Sequence, residues 1–143
     1  MLALRHGSPR ISQNLYNIGS RVTFAEVLLI YEDKAGRLWF ADRENIVVYD
    51  KTRDSIVTHK LGRYLARPFE DLFIYLNAIC QDEQGQMLFA MSGGLLCYDE
   101  ARKNWVLISL RNIGLDDRIN DIIKDRTGRI WIASNQGLVL LDR

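Results

Sequence analysis

Three stretches decide the fold: VLLIYEDKAGRLWFADRENIVVYD at residues 27–50, LNAICQDEQGQMLFAMSGGLLCYD at 76–99, and INDIIKDRTGRIWIASNQGLVLLD at 119–142. They align without a gap, and their starts lie 49 and 43 residues apart. Ile30, Ile79 and Ile122 share a column, as do Asp33, Asp82 and Asp125. Gly36, Gly85 and Gly128 follow three residues later. Next come Trp39, Leu88 and Trp131, then Phe40, Phe89 and Ile132, then Ala41, Ala90 and Ala133. Each unit closes on an aspartate, Asp50, Asp99 or Asp142.

The columns translate into strands and turns. An apolar run ends in Asp-x-x-Gly and a second begins two residues later. The aspartate can bond the turn backbone and the glycine supplies the left-handed conformation, so each unit opens with a β-hairpin. A second turn is predicted at Asp42 to Asn45, Met91 to Gly94 and Ser134 to Gly137. The third strands are Ile46 to Tyr49, Leu95 to Tyr98 and Leu138 to Leu141. Ser55 to Lys60 and Trp105 to Leu110 supply a weaker fourth strand in two units. Four antiparallel strands every 40–50 residues make β-propeller blades. The fold class is therefore all-β. Residues 1–143 form one partial propeller, with blade 1 at 27–60, blade 2 at 76–110 and blade 3 at 119–143 lacking its outer strand. Residues 11–18 are the outer strand of a neighbouring blade.

The second strands carry apolar residues at both odd and even positions: Leu38 to Ala41, Met87 to Ala90 and Ile130 to Ala133. A strand buried on one face would alternate with polar residues. Burial on both faces fits a sheet sandwiched between like neighbours, and it places Trp131 in a core. Cys80 and Cys97 fall on the first and third strands of the middle unit. With a strand between them they lie ~10 Å apart at ~4.8 Å per strand, too far for a disulfide.

Nineteen basic residues against eighteen acidic leave a net charge of +1. That balance gives no reason to expect nucleic acid or membrane contact. No apolar run approaches the ~20 residues of a membrane helix, and Met1 to Arg10 show no export signal.

The pattern apolar-x-x-apolar-x-x-Asp-x-x-Gly-x-apolar-Trp-apolar-Ala, followed by Gly-Leu and an apolar-apolar-Asp ending, resembles the two-component regulator propeller repeat. The third unit carries it best, from Leu115 to Leu138; the first has Asn45 where the third has Gly137, and the second has Leu88 for the tryptophan. The resemblance covers roughly residues 27–143. It implies a sensor domain of bacterial hybrid two-component histidine kinases, a periplasmic address and oligosaccharide detection. Propellers of that family are much longer.

Three blades cannot close a ring, and both open ends would expose apolar sheet faces. Either two copies associate, with Ile11 to Ile18 of one completing the last blade of the other in a six-bladed ring, or the blades belong to a larger propeller.

Because strand direction alternates, the turns between second and third strands share one rim with the connections between blades, Leu61 to Tyr75 and Arg111 to Arg118. Loops at one end of a scaffold are the usual home of binding. The longer connection mixes arginines with Tyr64, Phe69, Phe73 and Tyr75. Arg43, Arg63 and Tyr64 are the candidate ligand-binding residues, for a carbohydrate or a protein partner; the aromatics could equally just pack the loop. Catalytic patterns are poor. His6 and His59 are far apart, no metal-spaced His/Cys cluster occurs, and Ser92-Gly-Gly lacks the lysine and helix of a phosphate loop. Asp82 and Asp99 are explained by the repeat; Glu70-Asp71, Glu83, Glu100 and Asp116-Asp117 look like solvated turns, with calcium at Asp116 and Asp117 a weaker alternative. No cofactor, metal or catalytic residue is expected. The leading reading is a non-catalytic ligand-sensing segment; the alternatives are an interaction scaffold and a propeller hydrolase or lyase.

Overall fold

The computed structural model describes residues 26–61, 75–115 and 118–142. Eleven strands form three antiparallel sheets. The first holds β1 (Leu29–Glu32), β2 (Leu38–Ala41), β3 (Asn45–Asp50) and β4 (Ser55–Lys60) in sequence order. The second holds β5 (Leu76–Gln81), β6 (Met87–Met91), β7 (Gly94–Asp99) and β8 (Asn104–Ile108). The third holds β9 (Ile119–Lys124), β10 (Ile130–Ser134) and β11 (Gly137–Leu141). The expected strand at Ile11 to Ile18 lies outside the described residues. The fourth strand of blade 2 ends earlier than expected: Leu110 opens a 3-10 turn, Leu110–Ile113, capped by the Ser109 hydroxyl.

The sheets stack side by side with their first strands innermost. β1 neighbours β5, and β5 neighbours β9. Asn77 Nδ2 donates to the carbonyl of Ile119 at 2.6 Å, and the Tyr31 hydroxyl accepts from the Gln81 amide at 3.1 Å. The two-sided pattern of the second strands resolves into two packed interfaces. Met87, Phe89 and Met91 of β6 join Trp39, Ala41 and Ile46 of the first sheet in one core. Leu88 and Ala90, on the other side of β6, join Ile130, Ile132 and Ile122 of the third in another. All five residues of β6 are buried. Cys80 and Cys97 are buried free thiols that each pair in register with Leu88, so β6 does separate them.

Of the three second strands, only that of the middle blade is buried along both sides. Trp39 is 1% exposed, with its ring centroid 5.9 Å from Phe89. Trp131 has the same local sequence but is only half-buried, because it stands on the side of the third sheet turned away from the second. Its expected core placement is therefore corrected: the residue is the same, but among the described residues no blade covers it.

The repeating aspartate does more than make a turn. In blade 1, Asp33 Oδ1 accepts from the amides of Ala35 and Arg37, at 3.0 and 2.9 Å. Its Oδ2 accepts from Arg37 Nε and from the Trp39 indole, both at 2.8 Å. Asp125 repeats this in blade 3, with Thr127, Arg129 and the Trp131 indole at 2.9 Å. In both blades the arginine also lies over the indole ring, 5.8 Å from the centroid in blade 1 and 5.4 Å in blade 3. Gly36 sits at φ +77° in the tight turn this clamp closes, where a side chain would be strained. Blade 2, with Leu88 in the tryptophan column, has no indole to hold; Asp82 is buried and takes the Gln86 amide at 2.8 Å.

Trp39→Ala should therefore cost about 3–5 kcal/mol in urea unfolding, the usual loss for a buried large aromatic. Trp131→Ala should cost about half as much or less, since its ring is still partly in water. Equal costs would contradict the packing asymmetry.

Candidate functional site

The rim holding the β2–β3, β6–β7 and β10–β11 turns is built by short polar side chains that hold the turn backbone and leave others free to project. Asp42 is 3% exposed, and its Oδ1 accepts from the amides of Glu44 at 2.7 Å and Asn45 at 2.6 Å. That turn presents Arg43, about half exposed, 3.5 Å from Glu26. The Arg43 guanidinium lies 6.0 Å from the ring centroid of Tyr75, the residue just before β5. Tyr75 is in turn anchored to the next blade: its amide donates to Ser92 Oγ at 3.2 Å, and its carbonyl accepts from the Ser92 amide at 3.0 Å. The third blade adds Asn120 and Asn135, joined at 2.9 Å. Gly94 closes the middle turn at φ +129°, where a Cβ would come within 2.5 Å of the Ile108 carbonyl oxygen.

Of the expected ligand residues, Arg43 is on this rim beside an exposed aromatic. Arg63 and Tyr64 lie outside the described residues, as do Phe69, Phe73, His6, the pair Glu70-Asp71, and Asp116 and Asp117. The Arg43–Tyr75 pairing could not be located beforehand, since 32 residues separate them. Among the described residues no group of His, Cys, Asp or Glu could hold a metal ion.

The opposite rim is where the charges pair. Arg37, held by Asp33, reaches across to blade 2 and binds both carboxylate oxygens of Glu100, the second at 2.6 Å. Glu83 bridges blades 1 and 3, with Lys124 at 3.0 Å and Lys34 at 3.6 Å. Glu83 and Glu100 are exposed turn residues, as expected, and are inter-blade partners as well. Burial alone would raise Asp33, but the Trp39 indole and Arg37 outweigh it and hold the carboxyl below its ordinary value. The Trp131 indole and the Thr127 hydroxyl do the same to Asp125, more strongly.

His59, on β4, packs between blades, its ring 5.4 Å from Tyr98 and 5.1 Å from Trp105. Burial lowers its pKa from 6.5, with Glu100 opposing weakly.

Three stacked antiparallel sheets with their first strands innermost define part of a β-propeller. Residues 114–136, which include β9 and β10 of the third blade, match the family described as two component regulator propeller. The extracellular domain of the hybrid two component system BT3049 from B. thetaiotaomicron is similar in structure, with a TM-score of 0.65 and 22% identity over 81% of this chain and 15% of its own. That of BT4673, from the same organism, gives 0.62 and 18% over 82% and 16%. A catalytically inactive virginiamycin B lyase from Staphylococcus aureus gives 0.60 and 15% over 85% and 43%. The chain thus spans about a sixth of the length of these two component system domains. No curated protein sequence matches it. No helix among the described residues is long and apolar enough to cross a membrane.

A histidine harder to protonate folded than unfolded contributes stability that is complete above its unfolded pKa and is lost as pH falls through that value. The urea midpoint should therefore drop from about pH 7.5 to about pH 5.5. His59→Phe should flatten that dependence, and an unchanged slope would remove His59 as its source.

Proposed function

We propose that the chain is a non-catalytic, ligand-sensing propeller segment of a two-component sensor, placed on the periplasmic side and responding to a carbohydrate. The observation that carries this is the Arg43–Tyr75 pair. A guanidinium beside a half-exposed aromatic face, each on a backbone held by hydrogen bonds of its turn, offers donors next to a surface on which a sugar ring can stack. Arg63 and Tyr64, in the adjoining connection, are assigned to the same site. The propeller repeat in blade 3 and the extracellular two component system domains of similar fold support the sensory role.

The described side chains of this rim favour binding over catalysis. Arg43, Tyr75, Ser92, Asn120 and Asn135 donate and accept hydrogen bonds, while Asp42 beside them holds its turn and Glu26 pairs with Arg43. A lyase shares the fold, and a shared fold does not carry an activity with it.

Calorimetric titration with a panel of oligosaccharides tests the reading. At least one should bind, and Arg43→Ala and Tyr75→Ala should each weaken it about tenfold or more. Either an unresponsive panel or full affinity in both variants would count against a sugar site on this rim.

A further inference from the structure

The side of blade 3 turned away from blade 2 repeats, column by column, the side by which blade 1 holds blade 2. Trp131, Ile123, Leu138 and Leu140 stand there. Their counterparts in blade 1 are Trp39, Tyr31, Ile46 and Val48, which pack under blade 2. Ile123 is 56% exposed and Leu138 67%, against 0% for Ile46. A cavity of about 390 Å³, open to solvent, lies over this face.

The charged edge is repeated as well. Arg129 is clamped on Asp125 and stacked over Trp131 just as Arg37 is on Asp33 and Trp39. Arg37 spends its remaining donors on Glu100 of the following blade, directly after the aspartate that ends β7. Arg129 reaches the same position with its side chain 57% exposed.

We infer that this face is an interaction surface for a further propeller blade of the blade 2 type, one that lays a large apolar side chain against Trp131 and sets an acid, in the place of Glu100, against Arg129. The first blade of a second copy is the competing occupant. Apolar matching does not separate the two, since blade 1 offers Phe40 in the column of Phe89. Charge does. The column of Glu100 holds Lys51 in blade 1, so a second copy would set Lys51 against Arg129. Lys34 meets Glu83 across the existing interface, but its counterpart Arg126 would meet Lys34 of a second copy. Two like-charge pairs select against self-association even where the apolar surfaces fit.

Because Asp50 and Asp142 share a column, extending the full chain after Asp142 with residues 51–110 continues the repeat in register, adding an outer strand and a second copy of blade 2. Hydrogen exchange across residues 130–141 should slow about tenfold or more in this extended chain. Changing the added copy of Glu100 to Lys should weaken that protection about 3- to 5-fold, and Arg129→Ala should remove the difference, as for a partly exposed ion pair. In the unextended chain, Lys51→Glu should strengthen self-association by a similar factor, and Arg129→Ala should again cancel it. Three results would overturn the inference: unchanged exchange on extension, equal protection with Glu or Lys, or an unmodified chain that already sediments as a dimer with 130–141 protected.

Discussion

A carboxylate taken out of water is tolerated only where donors surround it, and that condition organises the first repeat; the same set of donors gathers on the less buried Asp125 of the third. Asp33 is 4% exposed and meets two amides, a guanidinium and an indole. The amides close the β1–β2 turn. The indole bond fixes the rotation of Trp39, six residues on, so that its ring faces the next blade rather than the solvent. One charged group thus couples the local turn to the packing of whole sheets.

The second consequence is directional. The tryptophan column faces the following blade and the next column faces the preceding one, as Trp39 against Phe89 and Leu88 against the third blade show. Blades assembled this way add in one sense around the axis, with first strands innermost and turns sorted to two rims. One rim is held by ion pairs between blades, Arg37 with Glu100 and Lys124 with Glu83. The other presents Arg43, Tyr75 and the asparagine pair, with their turns already satisfied by Asp42 and Ser92. The ion pairs between blades thus lie on the first rim, and the site proposed for recognition lies on the second.

Much of the fold was legible because the repeat is a set of local instructions. Asp-x-x-Gly specifies its own turn, and the third strands, β4 and the cysteine placement followed from counting along the chain. The readings that missed depend on what lies across space. Trp39 and Trp131 share the same flanking pattern, yet only a neighbouring blade makes one of them core. The ion pair of Glu100 could not be read from its turn because its arginine is 63 residues away. Leu110 leaves its strand because the Ser109 hydroxyl offers the backbone a cap. For the candidate site, Arg43 was accessible from its turn position, whereas its pairing with Tyr75 required the register of two blades.

The central claim is that the repeating aspartate and tryptophan act as one unit, and a double-mutant cycle tests it most directly. Asp33→Asn keeps the side-chain shape and Trp39→Phe keeps an aromatic ring, so that these and the double variant remove the carboxylate charge, the indole donor or both. Unfolding free energies should show a coupling of about 1–2 kcal/mol, the size of a hydrogen bond to a charged, buried group. Effects that simply add, to within about 0.5 kcal/mol, would mean that the turn and the tryptophan are held independently.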